Sequence, residues 1–383
     1  MHIGFNKTLP RILLAVTLLT SPFIAHADDS LQEFLEQILT NARDSNNLPA
    51  VGVLVQIDGD IAAMAVDGVR AQGHNEIVTI NDRWHIGSNT KAITATMVAR
   101  LVEQGILQFE DTLADSFPSF AKDIDPAYRN ITITQLLSHT AGLPPLSSWY
   151  ELPTLMKVIE PEHSIRAQRM AVARHYLTVP PSSEAGSAEY SNLGFIIAGA
   201  IAEARTDKTW EDLIKEQIFA PLGIKNAGFS APGSSTTLDQ PRGHKKSWLG
   251  KLIPLDPADK NSDNPQVMGP AGTINISLQD WTLFVEDQLN GVHGRGKLLK
   301  TETYRKLHSP VTGNYALGWG AVYDSELSLL AHTGSNGYWF TDVRIMPKHD
   351  IIFLIAINAG HKTAEKSMKD IRKHLTKRLK PFE

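Results

Sequence analysis

Cysteine is absent from this chain of 383 residues, and its absence excludes several classes of function at once. Without a thiol there are no disulfides, no thiolate metal sites, no cysteine nucleophile and no lipidated N-terminal cysteine. A block of basic residues is absent too, and the formal net charge is −4, which argues against nucleic acid as a partner. Beyond the N-terminus, the longest apolar run, residues 351–359, has the length of a strand rather than of a membrane span.

Two groups of catalytic motifs are also missing. No His-Glu-x-x-His sequence and no clustered set of His and Asp occurs, so the sequence predicts neither a metal site nor a cofactor. No Gly-x-Ser-x-Gly sequence occurs, which argues against the nucleophile elbow of an α/β-hydrolase. The expected partner is a small-molecule or peptide substrate, and the composition leaves the oligomeric state open.

The first 27 residues are typical of a cleavable signal peptide. Lys7 and Arg11 supply a positive start, an apolar run follows over residues 12–25, and residues 25–27 read Ala-His-Ala, a small-x-small cleavage site. The run is short for a bilayer crossing, so a permanent membrane anchor is the weaker interpretation. We therefore expect a mature chain that starts at Asp28, is periplasmic or secreted, and keeps no stable membrane anchor.

The stretch Trp84–Lys91 predicts a sharp entry into a helix. Serine is favoured at helix starts, and apolar residues recur at three- and four-residue steps after Ser88, which indicates a buried face. Lys91 lies three residues after Ser88, and on a helix this spacing places both side chains on one face. A serine hydroxyl needs an adjacent base to act as a nucleophile, and a lysine whose pKa is lowered by burial can be that base. The pair forms the Ser-x-x-Lys motif of penicillin-recognising enzymes.

A second Ser-x-x-Lys sequence occurs at Ser119 and Lys122. It follows Phe117-Pro118 in a stretch punctuated by Pro and Asp, and it opens no helix with a buried face. We therefore assign the nucleophile to Ser88.

Tyr190 and Asn192 directly precede an apolar helical segment, residues 193–204, and can complete such a site. A tyrosine phenol can pass protons to or from a serine when neighbouring positive charge lowers its pKa. An asparagine amide can hold a lysine and a substrate carbonyl together. The same Tyr-x-Asn pattern occurs at residues 128–130, but its charged neighbours predict a surface position for that copy.

A third segment, with the sequence His-Thr-Gly-Ser, lies between two strand-like stretches near the C-terminus. Glycine in an edge strand lets a substrate backbone approach closely. The backbone N–H groups of Ser335 and Ser88 can together form an oxyanion hole. His332, Thr333, Gly334 and Ser335 are therefore candidates for substrate binding, and a plain hairpin turn is the alternative.

The pattern of the remaining chain predicts one sheet built from both chain ends and a helical middle. Residues 30–43 have the spacing of an amphipathic helix, and residues 51–66 are typical of a hairpin closed at Asp58-Gly59. Residues 231–266, rich in Pro, Gly, Ser, Asp and Lys, predict an exposed excursion. His139 is expected to bond to a loop backbone rather than to a ligand.

The order of the three motifs resembles the β-lactamase-related serine hydrolases, namely class C β-lactamases, DD-peptidases, D-aminopeptidases and family VIII esterases. The resemblance covers nearly the whole mature chain. It implies an α/β (α+β) fold of the β-lactamase/transpeptidase type, with an antiparallel sheet flanked by helices, a helical lobe, and the site between them. It also implies that Ser88 is the nucleophile, that Lys91 and Tyr190 exchange the protons, and that Asn192 positions the substrate.

By the same resemblance, residues 28–383 form one hydrolase domain. An α/β lobe is expected to cover about 28–87 and 300–383, and a helical lobe about 88–299.

The chain departs from class C β-lactamases at His332, where those enzymes have the lysine of Lys-Thr-Gly. A histidine with an ordinary pKa of ~6.5 is mostly neutral at pH 7 and should hold a substrate carboxylate less firmly. We therefore expect an exported serine hydrolase that acts through an acyl-enzyme on an ester, a D-amino-acid peptide or amide, or a β-lactam, with the β-lactam least favoured. The alternative is a penicillin-binding sensor without turnover, because no separate water-activating carboxylate is recognisable in the sequence.

Overall fold

The computed structural model describes residues 29–147 and 150–379, so the predicted signal peptide, residues 1–27, lies outside the described residues. The helices are α1 (Asp29–Asn46), α2 (Thr90–Glu103), α3 (Leu113–Ser116), α4 (Ile133–Leu137), α5 (Leu152–Ile159), α6 (Ile165–Leu177), α7 (Asn192–Thr206), α8 (Trp210–Ile214), α9 (Ala220–Leu222), α10 (Gly269–Gly272), α11 (Leu278–Val292), α12 (Thr301–His308) and α13 (Lys362–Leu379). The strands are β1 (Ala50–Ile57), β2 (Asp60–Gly68), β3 (Arg83–His85), β4 (Ala227–Phe229), β5 (His244–Lys246), β6 (Leu252–Pro254), β7 (Ile274–Ser277), β8 (Gly320–Tyr323), β9 (Leu327–Ser335), β10 (Phe340–Met346) and β11 (Ile351–Ile357).

The main sheet joins the two ends of the chain, as the sequence predicted. Its six strands run in the order β2-β1-β11-β10-β9-β8, and every neighbouring pair is antiparallel. The predicted hairpin forms from β1 and β2, and both turn residues, Asp58 and Gly59, have positive φ. Pairing of β1 with β11, for example Leu54 opposite Leu354, brings the N-terminal hairpin against the C-terminal strands.

Helices cover both faces of this sheet because its strands carry apolar residues on each side. On the outer face, Leu35 of α1 and Ile371 of α13 pack with Val53 and Ile355 in one buried cluster. On the inner face, buried residues such as Leu54 join a larger cluster that continues through the helical region. Full burial of one such side chain contributes roughly 1.5–3 kcal/mol, so these two clusters fix the register of the strands of the main sheet.

Helix α2 lies at the centre of the molecule and is buried on more than the one face that the sequence predicted. All residues from Thr90 to Ala99 are buried. Many of them are small (Ala92, Ala95 and Ala99 are examples), and small side chains let neighbouring helices approach from several sides. A second sheet has the strand order β3-β7-β4. Its strand β3 comes directly before the turn that leads into α2, so the sheet fixes the position where this helix begins.

Two parts of the middle segment differ from expectation. The interpretation of residues 231–266 as an exposed excursion is only partly right, because β5 and β6 pair there and His244 is fully buried. The His244 ring contacts Asn358 O at 2.7 Å through Nδ1 and accepts from Gln72 N at 2.9 Å through Nε2, so both of its nitrogens are satisfied. Helix α11 contacts β1 and β11, although its residues fall within the expected helical lobe.

Within the described ranges, none of the helices combines the length and the apolar composition that a bilayer crossing requires.

Candidate active site

Ser88 lies in a tight 3-10 turn, Gly87–Asn89, between β3 and α2. It therefore lies one residue before the N-cap of the α-helix, which is Asn89. Gly87 has φ +51°, and a Cβ atom there would lie 2.4 Å from Ser335 N. Only glycine therefore lets the Ser88 turn approach the end of β9.

Lys91 is fully buried, and its Nζ reaches three oxygen atoms. The distances are 3.0 Å to Ser88 Oγ, 2.7 Å to Asn192 Oδ1 and 2.7 Å to Ala271 O. Burial lowers the pKa of Lys91 well below its ordinary value. A neutral amine has two hydrogens and one lone pair. Asn192 Oδ1 and Ala271 O can only accept, so they take the two hydrogens and the lone pair is left for the Ser88 hydroxyl proton.

Tyr190 approaches the same serine oxygen from another direction. Its hydroxyl donates to Ser88 Oγ at 2.8 Å, and Lys91 Nζ lies 4.9 Å from the centre of its ring. Although 41% of the residue's surface is exposed, burial around the phenol raises the pKa of Tyr190 to about 12, and the hydrogen bond to Ser88 offsets part of that rise. This direction is opposite to the lowered pKa that the sequence analysis invoked. Tyr190 therefore stays protonated and is suited to donating a proton.

Asn192 is the first residue of α7 and is held on both sides. Its Nδ2 donates to Leu146 O at 3.0 Å while its Oδ1 accepts from Lys91, so the orientation of the amide is fixed. The preceding Ser191 caps the helix by accepting from Gly194 N. The predicted backbone role of His139 is confirmed, because its Nδ1 accepts from Ser191 N at 3.1 Å.

Strand β9 carries the third motif and forms one wall of the site. A cavity of about 550 Å³ is lined by Ser88, Tyr190 and Asn192 together with Thr333, Gly334 and Ser335.

Gly334 contacts the Ser88 turn, and a Cβ atom there would lie 2.0 Å from Ile86 O. The strand can come this close only because residue 334 has no side chain.

Two sequence-predicted site residues, Lys91 and His332, do not line the cavity, and of these Lys91 contacts Ser88 directly. Side chains alternate along a strand, so His332 lies on the opposite face of β9 from Thr333. Its Nε2 is 3.2 Å from Tyr315 Oη, and its Nδ1 is 2.7 Å from Thr333 O. Although the residue as a whole is only half-buried, desolvation of its ring, with a smaller effect of the nearby Lys91, lowers the pKa of His332 to about 3. The expectation that this residue meets the substrate is not supported by its position.

Sequence reasoning missed a network that supports the Ser88 turn. The Asp263 carboxylate lies 2.9 Å from His85 Nε2 and accepts from Asn336 Nδ2 at 2.7 Å. His85 Nδ1 accepts from Gly87 N at 3.2 Å, so His85 donates to Asp263 through Nε2. Asp263 lies in the segment predicted to be an exposed excursion, and nothing in its local sequence marks it. The network ties that segment to both the nucleophile turn and the loop after β9.

The second copies of the two motifs lie elsewhere. Ser119 and Lys122 are both exposed and do not line the cavity. The prediction of a surface position for Tyr128 is wrong, because Tyr128 is fully buried and its hydroxyl donates to Gly142 O at 3.2 Å. The neighbours Arg129 and Asn130 are exposed to solvent while the ring of Tyr128 is buried in the core. The Tyr-x-Asn copy at residues 128–130 therefore serves packing, and the copy at residues 190–192 belongs to the site.

Replacing Tyr190 by phenylalanine is expected to lower the acylation rate about 10²-fold or more, because the hydroxyl donates directly to Ser88 Oγ. Stopped-flow release of p-nitrophenol measures that rate. Tyr128→Phe is the matched control. It removes a buried hydrogen bond worth about 1 kcal/mol of stability and should leave the acylation rate unchanged. A Tyr190→Phe protein with a native rate would exclude this hydroxyl from the proton transfers.

The position of His332 predicts a flat pH response. Its pKa of about 3 keeps the ring neutral from pH 7.5 down to pH 5.5, so KM for a substrate that carries a carboxylate should not fall with pH on its account. Michaelis curves for wild type and His332→Gln across that range measure this. If KM falls towards pH 5.5 in the wild type and not in the variant, His332 does bind the substrate carboxylate.

Among the described residues, no group of three or more His, Asp or Glu is arranged to hold a metal ion. The sequence model of the family described as Beta-lactamase matches residues 35–377.

Three proteins illustrate the similarity. Penicillin-binding protein 4 of Amycolatopsis lactamdurans is 28% identical over 341 residues, covering 84% of this chain and 84% of that protein. Protein flp of Staphylococcus aureus strain MW2 is 22% identical and covers 87% of this chain, which spans only 64% of that longer protein. The structure of an octameric penicillin-binding protein homologue from Pyrococcus abyssi superimposes with a TM-score of 0.71 at 21% identity, covering 90% of this chain and 77% of that one. This last likeness establishes the fold.

Proposed function

The chain belongs to the Beta-lactamase family of serine hydrolases and penicillin-binding proteins, and we propose that it hydrolyses its substrate through an acyl-enzyme on Ser88. The observation that carries the proposal is the continuous chain of contacts from Tyr190 Oη to Ser88 Oγ to Lys91 Nζ, at 2.8 and 3.0 Å. A hydroxyl that receives one hydrogen bond and faces a neutral amine is arranged to lose its proton as it attacks.

Acylation follows from this arrangement. Ser88 Oγ attacks the substrate carbonyl carbon and its proton passes to Lys91, which becomes an ammonium ion. The tetrahedral intermediate then collapses, the bond to the leaving group breaks, and the Tyr190 hydroxyl is placed to supply the proton that the leaving group needs. Lys91 loses its proton as Tyr190 is restored, so the acyl-enzyme forms with both groups in their starting states.

The oxyanion needs donors as charge develops on the carbonyl oxygen. Ser88 and Ser335 both border the cavity, and the absence of a side chain at Gly87 and Gly334 brings their backbones together. We assign the two donors to Ser88 N and Ser335 N. The 3-10 turn and the end of β9 hold them in place before the substrate arrives.

Deacylation uses the same groups in reverse. Lys91 and Tyr190 are the side chains that hydrogen-bond Ser88 Oγ among the described residues, and neither is a carboxylate. A water molecule that attacks the acyl carbon can give its proton to Lys91, and Ser88 Oγ recovers a proton as the acid product leaves. No further acid or base is needed to balance the step.

The position of His332 supports esters and D-amino-acid amides, which carry no carboxylate beside the reacting bond, over β-lactams as the preferred substrates. A β-lactam carries a carboxylate close to the reacting bond, as does a peptide that ends in D-Ala, and no charged residue of β9 faces the cavity to receive it. The cations of the cavity wall are Lys369 and Arg372 of α13. Export by the predicted signal peptide, residues 1–27, would place the enzyme in a periplasm or outside the cell.

A penicillin-binding sensor without turnover is the second candidate. The absence of a carboxylate among the groups that contact Ser88 or Lys91 in the described residues favours it, because deacylation then depends on Lys91 and Tyr190 alone.

Intact-mass spectrometry over time separates the two candidates. The protein is mixed with p-nitrophenyl esters, D-Ala peptides and a β-lactam, and both adduct and product are followed. We expect an adduct with an ester or a D-peptide that forms and decays while product accumulates. An adduct that persists with every substrate, without product, would support the sensor.

A further inference from the structure

The hairpin of β5 and β6 carries at its end the two most exposed large apolar side chains of the described residues. Trp248 is 91% exposed and Leu249 is 74% exposed. The five other tryptophans that the structure describes are at most 1% exposed, so Trp248 departs from the way this chain uses tryptophan elsewhere. We call residues 247–251 the hairpin tip.

Hydrogen bonds within the hairpin tip close the turn that displays these two side chains. Ser247 O accepts from Gly250 N at 2.9 Å, and Ser247 N donates to Lys251 O at 2.8 Å. Lys251 N donates to Ser247 Oγ at 3.0 Å, and Gly250 has φ +84°, as the last residue of such a turn requires. Trp248 and Leu249 are therefore the two central residues of an ordered turn, where polar residues and glycine are usual.

Positive charge surrounds the hairpin tip. Residues 240–255 include one arginine and three lysines but no Asp or Glu, in a chain whose formal net charge is −4. Lys245, Lys246 and Lys251 are exposed, and none of them forms an ion pair with another described residue. Lys246 lies beside the turn, because a Cβ atom at Gly250 would be 3.6 Å from its Cε.

The acidic residues nearest to this stretch in the sequence lie at the other end of the hairpin. Leu255 N donates to Gly243 O at 2.9 Å, so Asp256 lies at the base, where it borders a cavity together with Arg242. Asp239 lies in the loop that precedes β5. Three residues of strand separate the base from the tip, which is about 10 Å. The lysines at the tip therefore keep their positive charge unpaired.

A lipid surface suits this protrusion better than a second protein does. Two side chains that project from a turn bury roughly 400 Å² at most, about half of what one partner buries in a stable protein interface. A bilayer requires no complementary shape. Tryptophan is favoured at the boundary between headgroups and acyl chains, a neighbouring aliphatic side chain can enter that boundary, and lysines attract anionic headgroups.

We propose that the hairpin tip is a docking site for the surface of an anionic phospholipid bilayer. Trp248 and Leu249 enter the boundary between headgroups and acyl chains, and Lys245, Lys246 and Lys251 contact the lipid phosphates. The attachment is peripheral and reversible, since it rests on two apolar side chains and three charges. It does not depend on the proposed hydrolase activity, because none of these residues lines the active-site cavity.

Docking at the hairpin tip also brings lipid near the active site. His244 N of β5 donates to Tyr338 O at 3.2 Å, and the preceding residue, Gly337, lines the active-site cavity. The four residues from His244 to Trp248 span about 13 Å of extended chain. A docked molecule therefore holds its cavity close to the bilayer surface.

The test is cosedimentation with vesicles of phosphatidylcholine and of phosphatidylcholine mixed with phosphatidylglycerol. We expect wild type to bind the mixed vesicles more tightly and to lose that preference as salt is raised. In Trp248→Ser/Leu249→Ser, binding should fall about tenfold or more. In Lys245→Gln/Lys246→Gln/Lys251→Gln, the preference for mixed vesicles should fall about tenfold or more. Every variant is made in the same form of the chain, so any contribution of residues 1–27 is common to all.

Two control variants remove the same kinds of side chain from other parts of the surface. Met156→Ser/Val311→Ser removes two exposed apolar side chains, and Lys122→Gln/Lys157→Gln/Lys225→Gln removes three exposed lysines and so changes the net charge by the same amount. Both controls should bind as wild type does. Equal binding of wild type to the two kinds of vesicle, or an equal loss in the tip and control variants, would overturn the proposal.

Tryptophan fluorescence reports the contact itself. Brominated lipids quench an indole that enters the bilayer boundary, and the signal of Trp248 is the difference between wild type and Trp248→Ser. We expect mixed brominated vesicles to quench this signal. Thermal unfolding of the variant should match wild type, because the side chain is exposed. No quenching of the Trp248 signal, or a change in oligomeric state when Trp248 is replaced, would overturn the proposal, and the second outcome would assign the tip to contact between copies of the chain.

Discussion

Ser88→Ala is expected to abolish turnover, lowering kcat/KM by about 10⁴-fold or more, because removal of a serine nucleophile leaves only the contribution of binding and oxyanion stabilisation. The same substitution should abolish labelling by a fluorophosphonate or by penicillin. Ser88 Oγ is the shared partner of Tyr190 and Lys91, at 2.8 and 3.0 Å, so no other hydroxyl inherits its position. Steady-state hydrolysis and gel fluorescence after labelling measure the two effects.

Ser119→Ala provides the control for that experiment. Ser119 belongs to the other Ser-x-x-Lys sequence, but it is exposed and does not line the cavity. The variant should keep wild-type turnover and labelling. Loss of labelling in Ser119→Ala with retention in Ser88→Ala would show that the nucleophile had been assigned to the wrong copy.

Lys91→Met is expected to lower the acylation rate by about 10³- to 10⁴-fold, towards the upper end of the range for positioned acid–base groups. Methionine fills a similar buried volume but cannot accept the Ser88 proton. It also leaves Asn192 Oδ1 and Ala271 O without their donor, so the position of the amide should loosen. Stopped-flow acylation measures the rate, and thermal unfolding establishes that the variant remains folded.

The pH profile distinguishes a base from a structural residue. Lys91 acts as a base only when neutral, and burial lowers its pKa, so the wild-type rate should fall as the pH drops through that lowered pKa and the amine takes up a proton. The residual rate of Lys91→Met should lack that fall. A variant that is slow but keeps the wild-type acid limb would assign the limb to another group.

The residues of the candidate site could be picked from the sequence because their spacing carries the chemistry. A three-residue step places Lys91 beside Ser88 on any helical turn. In the structure Tyr190 donates to Ser88 Oγ, and Asn192 accepts from Lys91 Nζ. The main sheet could also be predicted in part, because alternating apolar residues and the Asp58-Gly59 turn predict its N-terminal hairpin.

His332 shows where sequence reasoning stops. A motif gives the order of residues along β9 but not which face of the strand meets the cavity, and a shift of one residue exchanges the two faces. Thr333 and Ser335 face the site, so His332 lies on the other side, against Tyr315. Its pKa follows from that burial and was likewise beyond prediction.

Asp263 depends on contacts between distant parts of the chain. Asp263 meets His85 across 178 positions of sequence, and its neighbours in the chain are typical of an exposed loop. The packing of α13 beside β9 likewise places Lys369 and Arg372 at the active-site cavity, which their positions in the sequence do not show.

The most direct test of the acyl-enzyme is rapid-quench peptide mapping during hydrolysis of a p-nitrophenyl ester. Samples stopped at successive times are digested, and the mass of each peptide is followed. We predict that the mass of the acyl group appears on the peptide that contains Ser88 as p-nitrophenol is released, and disappears at the rate of turnover. Steady release of product with no acylated Ser88 at any time, or with the acyl group on another residue, would contradict the account.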